Sequence, residues 1–231
     1  MIIHGLQKTT LLDYPGHVAS TIFFGGCNFR CPFCHNMNLV LNAANEPVIS
    51  EEELFHHLNS RIGILDGVCI TGGEPTLQKD LVPFIEKIKA LGYLVKLDTN
   101  GTNPDVIEEL ISKKLIDYIA MDIKSSPKDY AKVAGLESFD FDGVKRSISI
   151  LINGTVPYEF RTTMVKEYHS PETVREIGEL IHGARAYYLQ SFVDSDFVPN
   201  HDLHAFSKNE LLEFVEILKP HVETVELRGV D

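Results

Sequence analysis

The sequence lacks the marks of a membrane-bound, secreted or nucleic-acid-binding protein. No apolar run among the 231 residues approaches the roughly 20 residues that a spanning helix needs, and residues 1–8 lack the basic-then-apolar layout of a signal peptide. Lysine and arginine number 21 against 33 acidic residues, and a net charge of −12 argues against a nucleic-acid surface. We therefore expect a cytoplasmic protein that binds neither nucleic acid nor membrane.

Cysteine is also scarce, and three of the four cysteines lie in one short stretch. Cys27, Cys31 and Cys34 have the spacing C-x3-C-x2-C, whereas Cys69 lies far off in an apolar run and is most simply a small core residue. A disulfide framework would need an even count and an oxidising compartment. Three thiolates on a four-iron cube leave one iron without a protein ligand, and such an open position suits a substrate or cofactor.

The spacing alone leaves other interpretations of this loop open. His35 follows the last cysteine of the loop and could complete a zinc site, which would make the chain a zinc-stabilised interaction module. The loop could also hold a cluster that only transfers electrons. If the chain is an electron carrier, we expect an iron–sulfur cluster that no added cofactor perturbs. If it is a zinc module, we expect a colourless protein.

Apolar strands alternate with amphipathic helices along the chain. Residues 1–16 end in a turn signal, Asp13-Tyr14-Pro15-Gly16, and are predicted to form a hairpin or lid strand before the first core strand at Val18–Phe24. A helix is predicted to begin at Ser50, which starts a capping-box pattern. Further strands are predicted at Gly67–Thr71, Leu94–Leu97, Tyr118–Met121, Tyr158–Val165, Arg185–Phe192 and Thr224–Leu227. Further helices are predicted at Lys79–Leu91, Asp105–Lys113, Val144–Ile152, Pro171–Ile181 and Lys208–Leu218.

This alternation predicts an α/β fold with a parallel sheet built from βαβ units. About six such units precede the terminal strand, which favours a partial, open (β/α)6 barrel of the TIM type over a flat, doubly wound sheet. We expect a single domain over residues 1–231, with residues 1–16 as an N-terminal extension and residues 17–231 as the partial barrel.

Polar clusters follow four consecutive predicted strands. They are the cysteine loop, Gly72-Gly73-Glu74, Asp98-Thr99-Asn100 and Asp122-Ile123-Lys124. Each one alone is equally well a polar turn, since loops favour Gly, Asp and Asn. Ligands of parallel α/β folds bind at the carboxyl ends of strands, so four such ends together predict one site.

The cysteine loop, with Phe33 before its last cysteine, resembles the signature of the radical S-adenosylmethionine (SAM) superfamily. In that family Cys27, Cys31 and Cys34 would hold a [4Fe-4S] cluster whose open iron chelates SAM, and reduction would give a 5′-deoxyadenosyl radical. His35 and the lead-in from Leu6 to Gly16 resemble the glycyl-radical-enzyme activases. The resemblance is closest to the anaerobic ribonucleoside-triphosphate reductase activating proteins, and it extends to Gly229.

The resemblance also implies roles for the polar clusters. Gly72, Gly73 and Glu74 would bind the amino group of SAM, because glycines allow a close backbone approach and carbonyl and carboxylate oxygens accept from an ammonium. Two acidic segments would lie around the methionyl carboxylate and the ribose, in some members through a bound monovalent cation. The other SAM contacts that we expect are Phe33, Asp98, Thr99, Asn100, Asp122, Lys124, Arg161 and Gln190.

Arg161 and Lys124 each have a second interpretation. Lys124 could pair with a carboxylate or lie at the rim with its head in water. Arg161 could pair with Asp122 or with the methionyl carboxylate, or it could face outward from its strand.

One stretch departs from the activases. Some of them carry a SAM-contacting histidine after the last core strand, but residues 190–194 contain none, and Gln190 or Phe192 would have to serve instead. His201 and His204 lie further on and are expected to face solvent.

The resemblance implies that the partners are a glycyl-radical enzyme, namely an anaerobic ribonucleotide reductase, and a reductant of the flavodoxin or ferredoxin type. A rival substrate with the same chemistry is a small molecule, such as the deazapurine precursor of 7-carboxy-7-deazaguanine synthase. A closed polar pocket over the cluster would favour that rival, and an open groove would favour a protein substrate.

Overall fold

The computed structural model describes residues 1–230 and contains a single sheet of eight strands. The strands follow one another in sequence order, β1 to β8, across this sheet. The first pair, β1–β2, is antiparallel, and the pairs β2–β3, β3–β4, β6–β7 and β7–β8 are parallel. The strands are β1 Ile3–Thr10, β2 Ala19–Phe24, β3 Gly67–Gly72, β4 Leu94–Thr99, β5 Tyr118–Asp122, β6 Tyr158–Met164, β7 Ala184–Ser191 and β8 Val222–Arg228.

Helices separate the parallel strands. The α-helices are α1 Met37–Leu41, α2 Glu51–Ser60, α3 Leu81–Ala90, α4 Pro104–Ser112, α5 Tyr130–Val133, α6 Asp142–Asn153, α7 Pro171–Leu180 and α8 Lys208–Leu218. The predicted strands and long helices are confirmed, with ends that differ by at most two residues. Of the two alternatives for residues 1–16, the structure has the strand, β1, which pairs antiparallel with β2. The short helices α1 and α5 were not predicted, because neither has enough turns to develop an apolar periodicity.

The fold class is confirmed as α/β with a mostly parallel, unclosed sheet, whose strand order begins at β1 and ends at β8. Residues 1–230 contain no helix that is both long and apolar enough to cross a membrane. The assignment of residues 1–231 to one domain stays a prediction.

The chain comprises two compact units. The N-terminal unit consists of Met1–Asn28, Asn36–Thr99 and Asn103–Ile119, and the C-terminal unit consists of Phe29–His35, Asn100–Thr102 and the chain from Ala120 onward. The boundary therefore falls within the cysteine loop, which contributes Cys27 to the first unit and Cys31 and Cys34 to the second.

In the N-terminal unit, strands β1 to β4 provide a sheet that contributes fully buried apolar side chains to the core. Ile22, Ile70 and Leu97 come from three successive strands, and Phe84 of α3 packs edge-on against Phe24 at 5.5 Å between ring centroids. Helix α2 begins as predicted at Ser50, whose side chain accepts a hydrogen bond from the Glu53 backbone N–H. These contacts fix the carboxyl ends of β2, β3 and β4, where the polar clusters begin.

In the C-terminal unit, strands β6 to β8 alternate with helices that are capped at their first turns. Ser170 accepts a hydrogen bond from the Thr173 N–H at the start of α7, and Ser207 and Glu210 form a reciprocal capping box at the start of α8. Phe29, just before the last two cysteines of the loop, packs against Tyr130 and Phe139, so an aromatic cluster supports this part of the loop.

Candidate functional site

The cysteine loop is held by backbone contacts in both units. In the N-terminal unit, the Gly26 N–H donates to the Leu39 carbonyl at 2.8 Å, one residue before Cys27. In the C-terminal unit, the Arg30 N–H donates to the Ala134 carbonyl at 2.8 Å, and the Cys34 N–H donates to the Cys31 carbonyl at 3.1 Å. The loop backbone is therefore fixed on both sides of its cysteines by groups that do not include the thiols.

The cysteines have the chemistry of cluster ligands. None of the four cysteines in residues 1–230 is in a disulfide; Cys31 is buried, and Cys27 and Cys34 are partly exposed. Thiolates are the soft ligands that iron–sulfur clusters use. The described residues contain no group of three or more His, Cys, Asp or Glu side chains arranged around a single metal ion. The ligands of a cube bind different irons and need not surround one point, and the assignment of Cys27, Cys31 and Cys34 as cluster ligands stays a prediction.

The Gly72-Gly73-Glu74 segment packs its backbone directly onto the strand that leads into the cysteine loop. Gly72 has a φ of +120°, and a Cβ at this residue would lie 2.3 Å from the backbone N and O of Phe24. The Gly73 N–H donates to the Phe24 carbonyl, and the Glu74 N–H donates to the Gly26 carbonyl, both at 2.8 Å. Glycine is required here because no side chain fits between the two backbones.

Glu74 is buried and anchors this segment. Its Oε1 accepts hydrogen bonds from the Thr76 N–H at 3.1 Å, the Thr76 hydroxyl at 2.5 Å and the Thr99 hydroxyl at 2.7 Å. The Gly72 carbonyl accepts from the side-chain amide of Asn36 at 3.0 Å. Glu74 and Thr99, both predicted site residues, are thus brought together, and Asn36 ties the end of the cysteine loop to them.

Asp98 lies at the end of β4 and pairs with Lys96, a residue that the sequence patterns did not single out. Lys96 donates to the Asp98 carboxylate. The signal was available: residues two apart on a strand share a face, and a lysine inside an apolar run before an acidic residue indicates a buried pair.

Asn100 caps a tight turn in the C-terminal unit. Its side-chain oxygen accepts from the Thr102 N–H at 3.0 Å and from the Thr102 hydroxyl at 2.7 Å, which is an Asx turn. At Gly101, φ is +75° and a Cβ would lie 2.0 Å from the terminal methyl of Met121. Asn100 thus shapes the backbone after β4, whereas its predicted SAM contact stays a prediction.

Asp122 is held between two cations. Arg161 Nε donates to Asp122 Oδ1 at 2.9 Å, and Lys124 Nζ donates to Asp122 Oδ2 at 3.1 Å. Arg161 therefore pairs with Asp122, one of its two expected partners, and Lys124 is not a rim lysine with its head in water, because only 18% of its side chain is exposed. Asp122 therefore accepts from one cation at each of its two carboxylate oxygens.

The charges of this cluster perturb one another. Burial tends to raise the pKa of Asp122, but the charges of Arg161 and Lys124 lower it from its ordinary value of 3.8 to about 2. Burial tends to lower the pKa of Lys124, but the charges of Asp122 and Cys31 raise it. Lys124 therefore stays protonated, and its ammonium remains paired with the Asp122 carboxylate.

The lowered pKa of Asp122 predicts a pH dependence of stability. A carboxyl whose pKa is lower in the folded chain contributes stability above its unfolded pKa, and this contribution is lost as the pH falls toward its folded pKa. Allowing for the 30% exposure of the side chain, we expect a loss of about 1 kcal/mol from Asp122 between about pH 4 and pH 2. Urea unfolding of cluster-free protein, measured as a function of pH, checks this value because acid destroys the cluster. In the variant Asp122→Asn, the free energy of unfolding should fall less steeply between about pH 4 and pH 2. A pH dependence identical to that of the wild type would contradict the lowered pKa of Asp122.

The remaining predicted site residues take varied positions. Phe33 is buried and its ring lies 6.0 Å from that of Tyr168. Gln190 is partly exposed on β7, opposite Arg228 of β8. Their roles as SAM contacts stay predictions. His201 and His204 are exposed and pair with Asp194 and Glu167, which confirms that both histidines face solvent.

Two histidines hold loops near the predicted residues. His169 is buried; its Nε2 lies 3.0 Å from the Lys124 carbonyl, and burial lowers its pKa. His35 Nε2 lies 2.8 Å from the Val193 carbonyl, so the residue after the last cysteine of the loop is tied to the segment that lacks the expected histidine. His169 was missed because nothing in its local sequence distinguishes it from a loop histidine.

Comparison with known proteins identifies relatives across the whole chain. The profile of the Radical SAM superfamily matches residues 21–181. The Methanocaldococcus jannaschii protein MJ1227, whose name assigns it provisionally to the glycyl-radical enzyme activating enzymes, is 34% identical over 237 residues, covering 100% of this chain and 97% of that protein. The pyruvate formate-lyase-activating enzyme of Clostridium pasteurianum is 30% identical over 190 residues, covering 79% and 77%.

A solved structure shares the fold. Streptococcus suis SuiB bound to S-adenosylmethionine matches with a TM-score of 0.65 and 14% identity, covering 90% of this chain and 52% of SuiB. At this identity the likeness concerns the fold alone.

Proposed function

We propose that this chain, which belongs to the radical SAM superfamily, is an activase that generates a glycyl radical on an anaerobic ribonucleoside-triphosphate reductase. The observation that carries the activase part of this proposal is the match to MJ1227, which extends over 97% of that protein. The choice of a ribonucleotide reductase as acceptor rests on the resemblance noted in the sequence. A second relative is the pyruvate formate-lyase-activating enzyme. Radical SAM enzymes use a [4Fe-4S] cluster and SAM, and both cofactors therefore belong to this chain.

Cys27, Cys31 and Cys34 are the proposed cluster ligands. The C-x3-C-x2-C spacing, the burial of Cys31 and the absence of disulfides in residues 1–230 support this assignment. When bound, the cluster supplies the electron that cleaves SAM to methionine and a 5′-deoxyadenosyl radical.

The remaining site residues are proposed to bind and orient SAM. The Lys124 ammonium and the Arg161 guanidinium, which both pair with Asp122, are the groups that we propose for the methionyl carboxylate. The Gly72-Gly73-Glu74 segment offers backbone oxygens and a fixed carboxylate to the amino group. The other proposed contacts are Phe33, Asp98, Thr99, Asn100 and Gln190.

The proposed partners follow from the same chemistry. A glycyl-radical enzyme supplies the hydrogen atom from a glycine Cα, and a flavodoxin or ferredoxin supplies the electron. We place the protein in the cytoplasm, where thiols stay reduced.

Electron paramagnetic resonance tests the acceptor. The reconstituted protein would be mixed anaerobically with SAM, reductant and an anaerobic ribonucleotide reductase, a pyruvate formate-lyase or no acceptor. We expect a glycyl-radical doublet with the reductase, and none when its radical glycine is replaced by alanine. A doublet only with pyruvate formate-lyase would contradict the assigned partner. SAM cleavage that yields no protein radical with either acceptor would favour a small-molecule substrate.

A further inference from the structure

A charged side chain lies inside the apolar interior of the N-terminal unit. Lys96 lies in β4 between the buried residues Val95 and Leu97, and only 2% of its side chain is exposed. Moving an ammonium out of water costs several kcal/mol unless an acceptor replaces the lost hydration. A lysine at such a position therefore needs partners in the fold.

Two acceptors meet the Lys96 ammonium. Nζ donates to Oδ1 of Asp98, which lies two positions further along the same face of β4. Cys69 lies opposite Lys96 in the register of β3 and β4, and its sulfur is 3.9 Å from Nζ. The lysine stem is packed in the core, so the ammonium is presented to Asp98 from the interior of the unit.

We propose that Lys96 is the permanent counter-ion of Asp98, and that it makes the SAM site independent of a bound monovalent cation at this carboxylate. The inference rests on the proposed function, in which Asp98 contacts SAM. Lys96 acts through Asp98, so it is a positioning residue and not a catalytic one.

The physical reason is that the Lys96 ammonium and a free monovalent cation compete for the Asp98 carboxylate. A covalently attached ammonium reaches Asp98 without the entropic cost of binding a free ion, and its charge repels Na⁺ or K⁺ at a distance of a few ångströms. Shortening the lysine to alanine removes the ammonium from the Asp98 carboxylate and frees the volume that the end of the lysine side chain filled, where a small cation can replace the lost charge.

The wild-type protein provides the first test. SAM affinity of the cluster-reconstituted protein would be measured by equilibrium dialysis in NaCl, KCl or choline chloride at equal ionic strength. Because choline is a bulky quaternary ammonium ion, it does not replace Na⁺ or K⁺ as a carboxylate ligand, and its solutions report the site without a small cation. We expect the SAM affinities in the three salts to agree within about twofold, because Lys96 supplies the positive charge at Asp98 in each of them. A twofold difference in affinity corresponds to about 0.4 kcal/mol of binding. A requirement for Na⁺ or K⁺ would overturn the proposal.

The variant Lys96→Ala provides the second test. We expect SAM to bind about 10- to 100-fold more weakly in choline chloride, as is common when a group that orients a ligand contact is removed. Potassium, sodium or methylammonium ions should restore part of the affinity. The matched control is Lys113→Ala, since Lys113 pairs with Glu109 and Glu86 on the surface of the same unit and should leave the affinity unchanged.

The outcomes separate the inference from the proposed function. Unchanged SAM affinity in Lys96→Ala, or a loss that no small cation restores, would overturn the counter-ion role and leave the activase standing. If Lys96→Ala does not fold, the wild-type measurements in the three salts still test the proposal, because a requirement for Na⁺ or K⁺ would overturn it. Failure of the wild-type holoprotein to bind SAM in any salt would overturn the proposed function and this inference with it.

Discussion

Replacing Cys31 with alanine is expected to prevent assembly of the iron–sulfur cluster and to reduce SAM cleavage to the background of cluster-free protein. Two thiolates cannot hold a cube that needs three, and Cys31 is the buried member of the loop. Iron and sulfide content after anaerobic reconstitution measures the first effect. Chromatography of 5′-deoxyadenosine after reduction with dithionite measures the second.

The matched control is Cys69→Ser, which removes the cysteine that lies outside the loop. Cys69 is fully buried in β3, and a serine keeps an acceptor near Lys96. We expect this variant to take up a full cluster. A Cys31→Ala protein that still assembles a full cluster would contradict the ligand assignment, and a wild-type protein that takes up zinc in place of iron would favour a structural zinc module.

Replacing Gly73 with alanine is expected to destabilise the N-terminal unit by about 3 kcal/mol and to impair cluster loading, because the new methyl group overpacks a rigid contact. A Cβ at this position would lie 1.8 Å from the Gly26 carbonyl oxygen, which also accepts the Glu74 N–H. Relief of the clash must move Gly26, the residue before Cys27. Urea unfolding and the iron content of the variant check both effects.

Gly63→Ala separates this clash from backbone strain. Gly63 has a φ of +79°, and no atom lies within 4 Å of the position that a methyl group would take, so alanine costs only about 1 kcal/mol of left-handed strain. Iron content should remain that of the wild type. If Gly73→Ala behaves like Gly63→Ala in both measurements, the close approach of Gly73 to the cysteine loop is not required.

The parts of the fold that were predictable depend on local patterns. The β-branched run before the cysteine loop predicts β2, and the serine with a glutamate three residues later predicts the start of α2, because strand burial and helix capping are decided within a few residues. The placement of Gly72, Asp98 and Asp122 at strand ends followed from the same reasoning, since strand ends coincide with the end of each apolar run.

The parts that could not be predicted depend on register and long-range pairing. The pairing of Lys96 with Asp98 could be inferred from the strand pattern, but its contact with Cys69 depends on the register of β3 and β4. Glu74 was predicted as a ligand contact, and only the folded chain shows that Thr76 and Thr99 occupy its Oε1. His169 lies 45 residues from Lys124 in sequence, and no local pattern encodes their contact.

Deuterium transfer tests the central claim most directly. An anaerobic ribonucleotide reductase with its glycines deuterated at Cα would be treated with the reconstituted protein, reductant and SAM, and the 5′-deoxyadenosine would be analysed by mass spectrometry. The account predicts monodeuterated 5′-deoxyadenosine, with unlabelled product when the radical glycine of the reductase is replaced by alanine. Unlabelled 5′-deoxyadenosine from the intact deuterated reductase would contradict hydrogen abstraction from its glycine.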